Sequence, residues 1–363
     1  MTGPLMAATE ETAMTISLAT TPPDAQRQPT PAPSTPERVV AALKRRRRWR
    51  TSETLFWAAA AASVFLIPSK HLILNEIAIL ALFALSLDLI LGFAGIISLG
   101  HAAFFGVGAY CAGLLAKHGV AEPVVGLAAA AALTAALGFV TSFLVLRGAD
   151  LTRLMVTMGI ALILGELANQ MAWLTGGADG LQGIVMGPVL GWFEFDLFGT
   201  TAYAYSLSVL FLLFLAARRI TNSPFGLSLL SIRDNPLRAA AVGVPVNGRL
   251  VRVYTLAAAY AGIAGALLAQ TTQFVSVDVL EFHRSADVML ILIIGGTGYL
   301  YGGLIGAVLF KLLQDVLAGF TPQYWHFWIG IFLIALVLAG RERVVGGVAD
   351  AVRRLLPRRA AKE

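Results

Sequence analysis

The chain has little charge and almost no cysteine. Of its 363 residues only 13% are Asp, Glu, Lys or Arg, where a soluble domain carries about 25%. So few charges cannot cover a chain of this length, and much of its surface must face an apolar medium. The single cysteine, Cys111, excludes an intrachain disulfide and any CxxC metal or redox pair. It lies in an apolar stretch, reads as a small buried residue and leaves the redox compartment open. No HExxH stands among the five histidines, and no catalytic residue, metal site or cofactor is expected here. A GxxxxGK[ST] phosphate loop is missing too, so nucleotide hydrolysis is not expected of this chain. Nor is there a chain of carboxylates for proton coupling: Asp88, Glu166, Asp287 and Asp315 are dispersed over different apolar runs.

What is present is apolar. The chain is 57% hydrophobic, with a mean hydropathy of +0.76. Runs near 20 residues, the length that crosses a bilayer as a helix, lie at about 53–69, 72–92, 100–117, 123–146 and 153–174. Five more lie near 202–217, 251–273, 285–298, 302–319 and 325–341. The expected fold is all-α: a polytopic transmembrane helical bundle of about ten spans. The net charge of +6 does not point to nucleic acid, because the basic residues sit between apolar runs. Threading ten spans from a cytoplasmic N-terminus puts every Lys and Arg inside except Lys70, Lys117, Arg284 and Lys311. Dropping one span would send the C-terminal basic cluster to the wrong side, so the positive-inside rule places both termini in the cytoplasm.

Three segments follow. Residues 1–50 form a basic N-terminal tail whose Thr, Pro, Ala and Ser cannot build a core, and disorder is expected there. It ends in Lys44-Arg45-Arg46-Arg47-Arg48-Trp49-Arg50. A signal peptide would begin similarly, but no small-residue cleavage site follows; a cytoplasmic anchor is the better reading, with a nucleic-acid patch as the alternative. Residues 51–345 form the transmembrane domain, and 346–363 a basic cytoplasmic tail. Within the domain, 175–201 is an external loop with Asp179, Glu194 and Asp196 and the aromatics Trp192, Phe193, Phe195 and Phe198. Residues 218–250 form the largest internal connection, punctuated by Pro224, Pro236 and Pro245. A short helix is predicted between the first two prolines, since Leu227, Leu229, Leu230 and Ile232 give it an apolar side; a solvated loop is the alternative.

Glycine clusters in two places, Gly92–Gly108 and Gly295–Gly306. Each glycine costs a helix about 1 kcal/mol relative to alanine. Such clusters in membrane spans mean either close helix packing or broken helices lining a path.

The first cluster, Asp88-Leu89-Ile90-Leu91-Gly92-Phe93-Ala94-Gly95-Ile96-Ile97-Ser98-Leu99-Gly100-His101-Ala102-Ala103-Phe104-Phe105, resembles the signature of branched-chain amino-acid ABC permeases of the LivM type. So do Thr175-Gly176-Gly177-Ala178-Asp179-Gly180-Leu181, Ile232-Arg233-Asp234-Asn235-Pro236, Ala239-Ala240-Ala241-Val242-Gly243, Ala261–Leu267 and Gly295-Gly296-Thr297-Gly298, in the same order over about 70–345. Asp88 stands where the family often has Asn, Leu227 where it often has a basic residue, and Gly340-Arg341-Glu342-Arg343 replaces its usual ending.

The resemblance implies a bacterial inner-membrane importer with no ATPase activity of its own. Its partners would be a LivH-like sister permease, two cytoplasmic ATPases, a periplasmic substrate-binding protein and the lipid bilayer. Branched-chain or other small amino acids would be the substrate; relatives carrying urea, short amides or small carboxylates are the alternative, and a self-sufficient secondary transporter or channel is the other class. By carry-over, Arg233, Asp234, Asn235, Ala239 and Gly243 belong to the ATPase-coupling segment. Path residues would be Ser98, His101, Phe105, Thr157, Glu166 and Gln170, with His101 alternatively a packed, hydrogen-bonded residue.

Overall fold

Long runs of Leu, Ile, Val and Ala in an apolar solvent can satisfy their backbone groups only by bonding within the segment, which means helices. The computed structural model describes residues 51–339 apart from Leu197. Among these the regular structure is helical, with two isolated β-bridges. The tails expected over 1–50 and 346–363 lie outside the described residues.

In chain order the helices are α1 (Thr51–Leu66), α2 (His71–Leu91), α3 (Ala102–Lys117), α4 (Pro123–Val145), α5 (Asp150–Gln170) and α6 (Thr200–Thr221). Then come α7 (Pro224–Asp234), α8 (Pro236–Ala241), α9 (Val246–Thr272), α10 (Phe282–Gly295), α11 (Leu300–Phe320) and α12 (Trp325–Ala339). Each of the ten apolar runs becomes a helix, but not all are of spanning length. Six of the described helices are long and apolar enough to cross a membrane: α2 with the turn before it, α4, α5, α6, α9 and α11. Helices α3 and α10 have 16 and 14 residues, a rise of about 24 and 21 Å against about 30 Å of hydrocarbon. For α3 the shortfall is met by buried, non-helical chain over 96–101.

Helix α9 is central and packs against α4, α3 and α2. The contact face is made of small residues: Ala257, Ala258, Ala261, Ala264, Ala266 and Ala269 are all fully buried. A Cβ on Gly108 of α3 would strike the Gly262 carbonyl, and one on Gly265 would strike the carbonyl of Phe105. Backbones therefore touch, the packing that holds helices together in lipid, where the hydrophobic effect offers little between them. A hairpin of α10 and α11 repeats this, with Gly295 against Gly302 and Gly306 against Ile291. Two ion pairs tie helices together: Lys311 bonds Glu76 at 2.6 Å, joining α11 to α2, and Arg218 bonds Glu53 at 2.6 Å, joining α6 to α1.

The bundle has two distinguishable ends. At one, Leu181 bridges Val275, the Gly187 amide donates to the Ala121 carbonyl (2.9 Å), and the Leu190 amide donates to Glu122 (3.1 Å). Thr200 Oγ1 and His71 Nδ1 lie 3.0 Å apart at that end. The other end holds α7 and α8, the chain breaks at 92–101 and 296–299, and the turn after α4, where Arg147 shares a recess with Asn247 and Arg252.

Candidate translocation site and coupling segment

The glycine-rich stretch after α2 is both a break and a packing surface. The chain leaves α2 at Gly92, turns at Gly95 (φ +73°) and runs without helical bonds until Ala102. Breaking a helix inside a bundle exposes amides, and neighbours meet them. The Ala102 amide donates to Ser285 Oγ of α10 (2.9 Å) and the Leu99 amide to Thr157 Oγ1 of α5 (3.3 Å).

His101 is fully buried beside this break. Ser86 Oγ donates to the Phe83 carbonyl at 2.6 Å, which leaves it to accept from His101 Nε2–H at 2.8 Å. The imidazole stacks on Phe83, centroids 5.7 Å apart and planes 8° from parallel. Of the two readings of His101, the geometry is that of the packed, hydrogen-bonded residue. Phe105 also packs on Phe83, with ring centroids 4.6 Å apart. Ser98 and Thr157 are buried as well. These four predicted path residues thus come together around the start of α3.

Glu166 and Gln170 do not join them. Both are exposed further along α5, where Gln170 Nε2 donates to Glu166 Oε1 at 2.8 Å. Glu166 instead lines an open groove of about 800 Å³, with Met158, Ala161, Asn169, Leu280 and His283. Leu280 packs onto Gly106 and closes the groove toward α3. One group of path candidates is therefore buried, and of the other Glu166 lines the groove.

At the groove's mouth the structure assembles residues that pattern reading missed. His283 lies 3.2 Å from an Asp278 oxygen and 3.0 Å from a Glu281 oxygen, while Arg284 donates to Asp278 at 2.9 Å. Asp278, Glu281 and His283 present their ligand atoms within 4.8 Å of one another. The close spacing Asp-x-x-Glu-x-His was the available signal. The cluster could meet a cation, yet its carboxylates are already satisfied by His283 and Arg284.

Outside the bundle, Asp196 anchors the start of α6. Its carboxylate accepts from the amides of Thr201 (2.8 Å) and Thr200 (3.2 Å). Slight burial pushes its pKa up, but these amides outweigh that and hold the carboxyl below its ordinary value of 3.8. Trp192, Phe193 and Phe198 nearby are exposed, as interfacial aromatics are at a membrane surface.

The connection expected over 218–250 is shorter and more helical than predicted. Helix α6 runs to Thr221 and α9 begins at Val246, leaving 222–245 as the connection. The predicted helix between Pro224 and Pro236 is α7, seated on Leu229 and Ile232, which are 1% and 4% exposed. A second helix, α8, was not foreseen; Pro236 starts it and Asn235 Oδ1 caps it by accepting from the Arg238 amide at 2.9 Å. Ala239 within α8 is buried, Gly243 has φ +85°, and Leu237 and Val242 are about four-fifths exposed. Asp234 points outward, its side chain 72% exposed. Arg233, its side chain 38% exposed, reaches both ways: Nη2 lies 3.5 Å from Asp234 Oδ1, and Nη1 donates to the Gly92 carbonyl (2.5 Å) in the first chain break. Asp88, fully buried, accepts from the Gly298 amide (2.7 Å) in the second break.

Helices of spanning length, touching glycine backbones, ion pairs between helices and a break inside the bundle define a multi-pass membrane protein of the transport class. The chain belongs to the family described as branched-chain amino acid transport system permease components, which it matches over residues 71–337. It is similar to the high-affinity branched-chain amino acid transport system permease protein LivM of Escherichia coli (strain K12), with 27% identity over 284 residues, 71% of this chain and 65% of that protein. The LivM protein of Salmonella typhimurium matches to the same extent. The chain spans 65% of the length of these two relatives. The autoinducer 2 import system permease protein LsrC of Enterobacter sp. (strain 638) is 32% identical over 145 residues, 38% of this chain and 42% of that one. No solved structure matches.

Proposed function

We propose that the chain is one permease subunit of an ATP-driven importer of branched-chain or other small amino acids in a bacterial inner membrane. It crosses the bilayer ten times with both termini cytoplasmic. The observation that carries this reading is the likeness to LivM over most of the domain, together with the sorting of the connections to two ends. Those predicted outside (118–122, 175–201 and 273–281) bond to one another, and α7 meets the breaks predicted inside. Work enters from two ATPases docked on α8 and the Asp234 side of α7, with Leu237 and Val242 as the apolar contact. The residues Arg233, Asp234, Asn235, Ala239 and Gly243 form this coupling segment. A LivH-like sister permease covers the bare face of α5, a periplasmic binding protein delivers solute to the groove, and alternating access through Ser98, His101, Phe105, Thr157, Glu166 and Gln170 releases it inside. Solute moves only if the two states bind it differently.

A second reading keeps the mechanism and changes the cargo. It rests on the partial likeness to LsrC and to the fructose import permease protein FrcC of Rhizobium meliloti.

Proteoliposomes holding the chain with its sister permease, ATPases and binding protein test both. Uptake of radiolabelled leucine, but not fructose, dependent on ATP supports the first reading. Fructose uptake alone supports the second. Accumulation of either solute by the chain without ATPases would refute the importer assignment in favour of a secondary transporter.

A further inference from the structure

Arg233 sits in the coupling segment, yet its side chain enters a socket made of the bundle's own backbone. Three glycines form the socket: Gly92 and Gly95 of the first break and Gly298 of the second. A Cβ on Gly95 would lie 2.8 Å from Arg233 Cγ, and one on Gly298 would lie 3.0 Å from Arg233 Nη1. Only glycine leaves the side chain room to reach the Gly92 carbonyl, to which Nη1 donates at 2.5 Å. On the far wall Asp88 Oδ1 accepts from the Gly298 amide at 2.7 Å. The two breaks are thereby tied to each other and to α7. Helix α3 begins beyond the first break and α11 beyond the second, while α10 ends at the second. Ser285 of α10 holds the Ala102 amide at the start of α3. One guanidinium therefore joins α7 to the end of α2 and to the break between α10 and α11.

We infer that Arg233 is a positioning residue that carries the stroke of the coupling segment into the two chain breaks, rather than a contact to the ATPase. The inference rests on the importer reading above. A planar guanidinium on a long stem suits the task, because it keeps its donors fixed while the stem fills the socket. Packed elements with two discrete arrangements transmit such a displacement without a continuous wire.

The test uses the whole transporter, with Cys111→Ala as background and Met158→Cys as reporter in the groove. Labelling by a membrane-impermeant maleimide is followed with and without ATP and vanadate. With Arg233 present, trapping nucleotide is expected to change the labelling rate about fivefold or more. In Arg233→Ala the change falls below about twofold, while nucleotide is still trapped and the subunits still co-purify. Arg233→Lys keeps the charge but loses the fork; it gives an intermediate change and carries the test if the alanine variant fails to reach the membrane. A full labelling change in both variants overturns the inference. Loss of ATPase co-purification also overturns it, because Arg233 would then be a docking residue. A parent complex showing no nucleotide-dependent change defeats the importer reading, and the inference with it.

Discussion

Helices α9 and α5 are nearly equal in mean hydropathy, 1.5 and 1.6 over their most apolar windows, yet 67% of the α9 window is buried and only 11% of the α5 window. Their side chains differ in size rather than in polarity. Alanines and glycines on α9 admit neighbouring backbones on three sides. Leu151, Met155, Leu162, Ile163 and Leu167 on α5 stand more than half exposed. Hydropathy thus reports which segments leave water, while residue volume reports which of them the protein itself surrounds. The bare face of α5 runs beside the groove, which is why a sister subunit is proposed to cover it.

The strongest way to break this contrast is to give α9 a large side chain. Gly265→Leu drives a branched group into the Phe105 carbonyl and should cost about 3 kcal/mol. Loss of monodisperse protein in size-exclusion chromatography is the expected outcome; a normal profile would show that α3 and α9 can separate. Next in size is Gln270→Leu, near the C-terminal end of α9, where the amide donates to the Pro123 carbonyl (2.7 Å) and accepts from Tyr205 (3.1 Å). Removing it should lower stability by about 1 kcal/mol, read as a drop in the thermal midpoint in detergent.

Asp196 is an intermediate case, since it acts from solvent on a helix end. Asp196→Ala should cost about 1 kcal/mol at neutral pH. A depressed folded-state pKa means the stabilisation is complete above the ordinary value of 3.8 and is lost as pH falls through the lower folded value. The gap between wild type and variant should therefore close in acid below pH 3.8; a gap that widens there would be incompatible with the capping role. The smallest effect is expected on α5. Ile163→Ala should move the midpoint of the isolated chain by less than about 0.5 kcal/mol, but reduce co-purification of the sister permease. Unchanged co-purification would assign that face to lipid.

Much of the bundle was readable from pattern. Each apolar run became a helix, Pro224 and Pro236 marked real starts, and the glycine clusters proved to be breaks and contacts at once. The site was readable only in part. Ser98, His101, Phe105 and Thr157 meet, but Glu166 and Gln170 lie apart, because α5 is long enough to carry residues to both ends of the bundle. Ser86, the partner of His101, and the Asp278–Glu281–His283 group escaped notice. The first carries no signature of its own, and the second depends on the fold of the 277–283 turn.

Sequence alone determined that this chain lives in lipid, that each apolar run is helical, and which family it resembles, because solvent preference and backbone bonding are local properties. Only the tertiary structure decided which apolar helix is central, how the charges of Lys311 and Arg218 are neutralised, and that Arg233 reaches the Gly92 carbonyl. Those outcomes depend on which backbones can approach one another, and that is set by pairs of residues far apart in the chain.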